Sequence, residues 1–195
     1  MIVDLVRHAS TGRRGHLDGA TDVPLLAGAA DALARRYAGR DWSRVVGSPL
    51  RRALDTARAL AGARPLQVDP GWRELDFGTW DGAPPGTIPA DALARFHADP
   101  VAHPFPGAEP WAGFQARIEA ALHSLHALAG ADADAAPVLV VSHAGAMRMA
   151  LQCTCGWTLA QCWSLRLDYG TRLGLRVERD AGGALWGEVL ELEQP

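Results

Sequence analysis

The 195-residue chain contains no lysine: all 19 of its basic residues are arginine. That absence excludes every mechanism needing a lysine amine, among them the phosphate-binding lysine of P-loops, Schiff-base chemistry and the strand lysine of protein kinases. Any anion the protein handles must be met by arginine. Cysteine is scarce. Cys153, Cys155 and Cys162 are odd in number, and Cys-Thr-Cys has neither zinc-ribbon nor thioredoxin spacing, so they read as buried reduced thiols. No apolar run approaches the roughly 20 residues that span a bilayer. No basic leader precedes an apolar segment at the N-terminus, so a cytoplasmic location is expected. Charge of either sign is also modest: the net charge of −3 gives no general pull toward nucleic acid or an acidic membrane.

What is present is the balance of a soluble globular protein, with 48% hydrophobic and 21% charged residues. The length suits one domain covering residues 1–195. Ile2-Val-Asp-Leu-Val-Arg7 and Val138-Leu-Val-Val141 are short, apolar and β-branched, and predict fully buried strands. Val45-Val46 is a third short strand, and further strands are expected at 163–168, 171–178 and 185–192. Helices are expected at 25–38, at 49–61 with Ser48 as N-cap and Pro49 as first residue, at 89–98, at 110–129 and from Ala144. Residues 70–89 and 103–110 read as ordered loops rich in Gly and Pro, and 130–136 as an alanine-rich loop. Strands alternating with helices imply an α/β fold: a three-layer α/β/α sandwich around a mostly parallel sheet, with the ligand site beyond the carboxyl ends of the strands.

Two of the expected strands end alike, in Leu5-Val-Arg-His8 and Val140-Val-Ser-His143. If they are neighbours, both imidazoles enter one pocket. A neutral imidazole is a competent nucleophile, since its unperturbed pKa is about 6.5. Attack on phosphorus needs the charge on the phosphoryl oxygens countered, which planar arginine does bidentately. Arg7 stands beside the nucleophile. A second arginine comes from Ser48-Pro-Leu-Arg-Arg-Ala53, at a helix start where free N–H groups also favour anions. Glu74, in Trp72-Arg-Glu-Leu-Asp-Phe-Gly-Thr-Trp-Asp-Gly82, can protonate a leaving alkoxide and then activate water. Asp76 and Asp81 are its rivals, with Asp81 expected to brace the loop. Trp80 is the expected aromatic lining of the site. His123 and His126 lie three apart on a helix without a convincing third ligand, so a solvated helix face is expected there.

Leu5-Val-Arg-His-Ala-Ser-Thr11 resembles the signature of the histidine phosphatase superfamily, also called phosphoglycerate mutase-like. Asp22-Val-Pro-Leu25, Ser48 to Ala53 with Thr56-Ala57, Glu74 to Gly82, and Val141-Ser-His-Ala-Gly145 with Arg148 follow in that family's order. The resemblance implies that His8 becomes phosphorylated, that Arg7, Arg52 and His143 bind the transferring group, and that Glu74 is general acid and base. Arg52, not Arg51, falls at the arginine position. It implies contacts to substrate from Thr11 and Ala144, and no metal or other cofactor. Ala9 stands where glycine is usual, and Arg14 where asparagine is frequent, so Arg14 is expected to take over that contact. Gly107-Ala-Glu-Pro110 replaces the usual Gly-Glu-Ser.

Glu74 to Gly82 and the tail Trp163-Ser-Leu-Arg-Leu-Asp-Tyr-Gly170 most resemble the α-ribazole phosphatases of cobalamin synthesis. The expected partner is a small-molecule phosphomonoester, with neither nucleic acid nor membrane involved and a homodimer left open. Alternative readings are a mutase-like phosphotransferase, a broad-specificity phosphatase and a non-catalytic phosphate-binding domain. The mutases carry a lysine near the substrate carboxylate, which this chain lacks. Non-catalytic relatives typically lose the nucleophile or the acid.

Overall fold

The computed structural model describes residues 1–129 and 136–195. Its six strands form one sheet in the order β3-β2-β4-β1-β5-β6. These are β1 (Ile2–Arg7), β2 (Arg44–Gly47), β3 (Leu66–Val68), β4 (Val138–Ser142), β5 (Arg172–Arg179) and β6 (Leu185–Glu193). The first four run parallel, while β5 and β6 add an antiparallel edge hairpin. The register sets Val3 beside Val138 and Arg7 beside Ser142, so β1 and β4 end together.

Side chains alternate across a strand, and both faces are covered. Val138 and Val140 of β4 pack into a cluster with α3 (Ala90–Ala98), α4 (Trp111–Ala129) and α5 (Ala144–Cys155), centred on Trp72, Phe114, Ile118, Leu122 and Met147. Leu139 and Val141 face the other way, onto Leu33, Ala53, Ala57 and Leu60 of α1 (Ala29–Arg36) and α2 (Arg51–Ala61). This is the expected three-layer sandwich.

The structure corrects several local expectations. α1 starts at Ala29 because Gly28 takes a left-handed conformation (φ 73°) that ends the preceding extended segment. α2 begins at Arg51, not Pro49, since Leu50 is extended. Its cap is imported: Asp22 Oδ1 accepts the Arg51 backbone N–H at 2.6 Å, and Ser48 is used elsewhere. The strand expected at 163–168 is absent. Leu159–Ser164 forms α6, opened by a capping box in which Gln161 N–H donates to Thr158 Oγ1 and Thr158 N–H donates to Gln161 Oε1. Trp163, Leu165 and Leu167 do alternate inward, but the Leu167 carbonyl accepts from the Arg7 side chain. The short β3 was not expected. Most of the alanine-rich loop, at 130–135, lies outside the described residues.

Candidate active site

Because β1 and β4 are adjacent and parallel, the residues after them meet at one sheet edge. The rings of His8 and His143 lie 5.2 Å apart, and both are buried. His8 Nδ1 is 2.8 Å from the Ala9 carbonyl oxygen. A carbonyl has no proton to give, so Nδ1–H is the donor and Nε2 keeps its lone pair. Burial, and after it the charges of Arg7 and Arg52, hold the His8 pKa well below the usual 6.5, so the ring is neutral at neutral pH. Ala9 fits: its N–H donates to Thr56 Oγ1 at 3.0 Å and its methyl packs in the α1–α2 core.

His143 Nε2 lies 2.9 Å from Ser48 Oγ, which explains why Ser48 does not cap α2. A Ser48 hydroxyl donating to Nε2 leaves Nδ1–H as a donor, and Nδ1 has no partner among the described residues. Burial and Arg52 hold His143 neutral as well.

The two arginines are fixed by carbonyls. Arg7 Nη1 donates to Leu167, and its guanidinium lies 4.2 Å from the centre of the Tyr169 ring. Arg52 donates through Nη1 to Thr21 and through Nη2 to Asp18 and Gly19. Neither Nε has a partner among the described residues, and burial lowers both pKa values without neutralising either group. Buried donors cost free energy unless paired. Arg7 Nε, Arg52 Nε and His143 Nδ1 are thus three buried unpaired donors on groups near His8, whose ring lies 5.2 Å from that of His143 and whose pKa both arginine charges lower; a tetrahedral oxyanion such as phosphoryl would satisfy such donors. Arg51 is solvent-exposed and pairs with Asp55.

Glu74 is held in place on both sides. Its Oε2 accepts the Gly145 N–H at 2.9 Å and Oε1 accepts the Leu75 N–H at 3.0 Å. A Cβ at Gly145 would stand 2.2 Å from Oε1, so the carboxylate occupies the space glycine leaves. The loop is clamped by Arg117 of α4. It donates to the carbonyls of Gly71, Arg73 and Glu74 at 2.7–2.9 Å and forms a bidentate pair with Glu109. Asp76 accepts the Gly78 N–H, away from the histidines. Asp81 does brace the loop, accepting from the N–H groups of Ala20, Thr21 and Phe77 and from the Thr21 hydroxyl.

Arg7, His8, Thr11, Glu74, Ala144 and Tyr169 line a cleft of about 180 Å³, while Arg52 and His143 are not among its lining residues. Thr11 Oγ1 is 3.0 Å from the Tyr169 hydroxyl. Arg14 is not among the residues lining this cleft: its side chain is 74% exposed, lies 3.6 Å from Asp168 and lines an adjoining depression that shares Arg7, His16 and Tyr169 with the cleft. Trp80 does not line the site either. It packs edge-on against Phe105, ring centres 4.5 Å apart, and Phe77, Phe96 and Trp163 supply the aromatic wall instead. His16 and His97 also face the cleft. On α4, His123 Nδ1 pairs with Arg179, and no cluster of metal-ligating side chains occurs among the described residues. Sequence reasoning missed Tyr169, Ser48 as partner of His143, and Thr56 as acceptor for Ala9. Only the quoted Ser-Pro-Leu-Arg-Arg and Asp-Tyr-Gly stretches hinted at them.

No curated protein matches the sequence. The backbone is similar to that of mycobacterial glucosyl-3-phosphoglycerate phosphatase (TM-score 0.83, 24% identity, 96% of each chain covered). It is also similar to the phosphoserine phosphatase of Entamoeba histolytica (0.80, 20% identity, 98% of this chain and 95% of the other). The α-ribazole phosphatase of Shigella flexneri likewise matches (0.78, 20% identity, 100% and 96%). At these identities the likeness establishes the fold. The profile of the histidine phosphatase superfamily, branch 1, matches residues 3–186, nearly the whole length. With two strand-end histidines, two carbonyl-anchored arginines and a braced glutamate in that span, the chain belongs to the histidine phosphatase superfamily.

Proposed function

We propose that the protein hydrolyses a small phosphomonoester by two displacements at His8. The Nε2 lone pair attacks phosphorus and forms an N–P bond as the P–O bond to the alcohol breaks. Glu74 gives its proton to the departing oxygen. Water then attacks phosphorus, Glu74 takes its proton, and His8 leaves with its electron pair. Arg7, Arg52 and His143 bind the phosphoryl oxygens, with Thr11 and the Ala144 backbone at the rim; Arg14 contacts substrate only if substrate extends past Arg7. The observation that carries this reading is the buried Nδ1–H···O=C bond of His8, which leaves the Nε2 lone pair available in a site whose neighbouring Arg7, Arg52 and His143 each keep a buried unpaired nitrogen. In this reading arginine and histidine supply the charge stabilisation that phosphoryl transfer requires.

For the substrate we favour α-ribazole 5′-phosphate, and hence a place in cobalamin synthesis in the cytoplasm. Support comes from the Glu74–Gly82 and Trp163–Gly170 stretches, and the structural neighbours include an α-ribazole phosphatase. The absence of lysine disfavours a mutase, and the presence of all five site groups disfavours a non-catalytic domain.

The test is phosphate release, with EDTA present, from α-ribazole phosphate, 3-phosphoglycerate, phosphoserine, sugar phosphates and p-nitrophenyl phosphate. The reading expects release that survives the chelator and disappears in His8→Ala. Preference for α-ribazole phosphate supports the assignment, preference for another ester removes it, and release by His8→Ala removes the mechanism.

A further inference from the structure

The two site arginines are held unequally. Arg52 is fixed by three carbonyls, those of Asp18, Gly19 and Thr21. The Arg7 side chain makes one hydrogen bond among the described residues, from Nη1 to the Leu167 carbonyl at 2.6 Å, and its Nε is buried without a partner. One bond anchors a guanidinium at a point and leaves its plane free to turn. What bears on that plane is Tyr169: the Arg7 guanidinium carbon lies over its ring, 4.2 Å from the centre. A planar guanidinium stacks on an aromatic face, and the contact strengthens where water is excluded.

Tyr169 is itself fixed by the backbone beside it. The Gly170 N–H is shared between the carbonyls of Arg7 and His8, at 3.1 and 3.2 Å, and the Arg7 N–H donates to the Thr171 carbonyl. The ring is thereby held against the strand end that carries the nucleophile, its centre 5.3 Å from that of the His8 ring. Its hydroxyl lies 3.0 Å from Thr11 Oγ1, which also accepts the Arg13 N–H at 3.4 Å. Thr11 is buried and lines the cleft with Arg7 and His8. A hydroxyl has two acceptor sites and one proton. With the Tyr169 hydroxyl donating, both acceptor sites of Thr11 Oγ1 are taken and its own proton is left to give.

Resting on the phosphatase reading, we propose that Tyr169 is a positioning residue of the phosphoryl site: its ring sets the plane of Arg7 so that Nε is presented to the phosphoryl oxygens, and its hydroxyl, by donating to Thr11, turns the Thr11 hydroxyl proton toward them. The ring acts on Arg7 alone, since Arg52 has carbonyls enough to hold it. Tyr169 thus acts through two groups that touch substrate in this reading, and each half of its role has its own partner.

The test is calorimetric binding of inorganic phosphate to the intact protein, with turnover of the phosphomonoester panel measured beside it. Tyr169→Phe removes the hydroxyl alone and should weaken phosphate about twofold to tenfold. Tyr169→Leu and Tyr169→Met remove the ring as well and should weaken it about threefold to thirtyfold further, with Tyr169→Trp recovering the share of the ring. Each loss should vanish with its partner. In Thr11→Val, Tyr169→Phe should change phosphate affinity no further; in Arg7→Gln, Tyr169→Leu should bind phosphate no more weakly than Tyr169→Phe. Equal affinity in all Tyr169 variants, or losses that persist at full size in those backgrounds as a general loosening of the fold would make them, overturns the proposal. Phosphate binding coupled in this way without hydrolysis of any ester would retain the role of Tyr169 and remove the phosphatase reading. Hydrolysis through His8 with phosphate affinity indifferent to Tyr169 would do the reverse, and a folded protein that binds no phosphate would remove both.

Discussion

At the scale of single residues, the site works by keeping imidazoles neutral among guanidiniums. His8 and His143 have folded-state pKa values below the unfolded 6.5. Above pH 6.5 neither state is protonated and the shift contributes nothing. As pH falls through 6.5 the unfolded chain takes up protons that the folded one refuses, so stability declines until the depressed folded values are reached. Each pH unit over which one such histidine stays neutral removes about 1.4 kcal/mol. The denaturation midpoint should therefore drop between about pH 7 and pH 5, and His143→Gln should flatten the drop; an unchanged slope would show that His143 titrates normally. Gly145→Ala puts a methyl where Glu74 Oε1 lies. Steady-state kinetics should then show kcat falling by about tenfold to a hundredfold with phosphate inhibition little changed. The two histidines and Arg52 stood out in the sequence as candidates because strand-end histidines and a helix-start arginine have few other uses together, and the structure places them near one another. Tyr169 and the Ser48–His143 contact did not stand out, since each joins residues about a hundred positions or more apart.

At the scale of elements, Glu74 is placed by a helix that does not carry it. Arg117 of α4 donates to three carbonyls of the 71–74 segment, those of Gly71, Arg73 and Glu74, and ties them to Glu109. Arg117→Leu leaves those acceptors and the Glu109 carboxylate without their donor. The expected cost is about 2–4 kcal/mol in denaturant titrations, with kcat reduced and His8 phosphorylation slowed, and Arg117→Lys should recover part of it. Loop 70–89 was legible as an ordered loop, but its clamp was not, because an arginine on an amphipathic helix reads as solvent-facing. The same limit explains α6. Trp163 in its last turn alternates with Leu165 and Leu167 beyond its end and mimics a strand, and only the Thr158–Gln161 capping box marks the helix. Arg14 shows the converse: matching a position in a pattern does not fix where a side chain goes, and here it turns to Asp168.

At the scale of the whole molecule, the site exists because β1 and β4 are parallel neighbours, and that arrangement is pinned from the far side. Asp4 of β1 accepts from Trp42 Nε1 and from Arg172 Nη1 at 2.8 and 2.7 Å, and both charged side chains are almost fully buried. Asp4→Ala removes one of three carboxylates around the buried Arg172 guanidinium, leaving Glu191 and Glu193, and takes the acceptor from Trp42 Nε1; it should cost about 1–3 kcal/mol while leaving the KM of the surviving folded protein unchanged. The alternation of strands and helices made this fold legible, though not the antiparallel pairing of β5 and β6 at its edge. The central claim is that the phosphoryl group passes through His8. It is tested most directly by acid-free quenching of a reaction with excess substrate, followed by intact-mass and peptide mapping under alkaline conditions. The account predicts one added phosphoryl group, located on His8, accumulating further in Glu74→Gln and absent in His8→Ala. A phosphoryl group on another residue, or full turnover in His8→Ala, would contradict it.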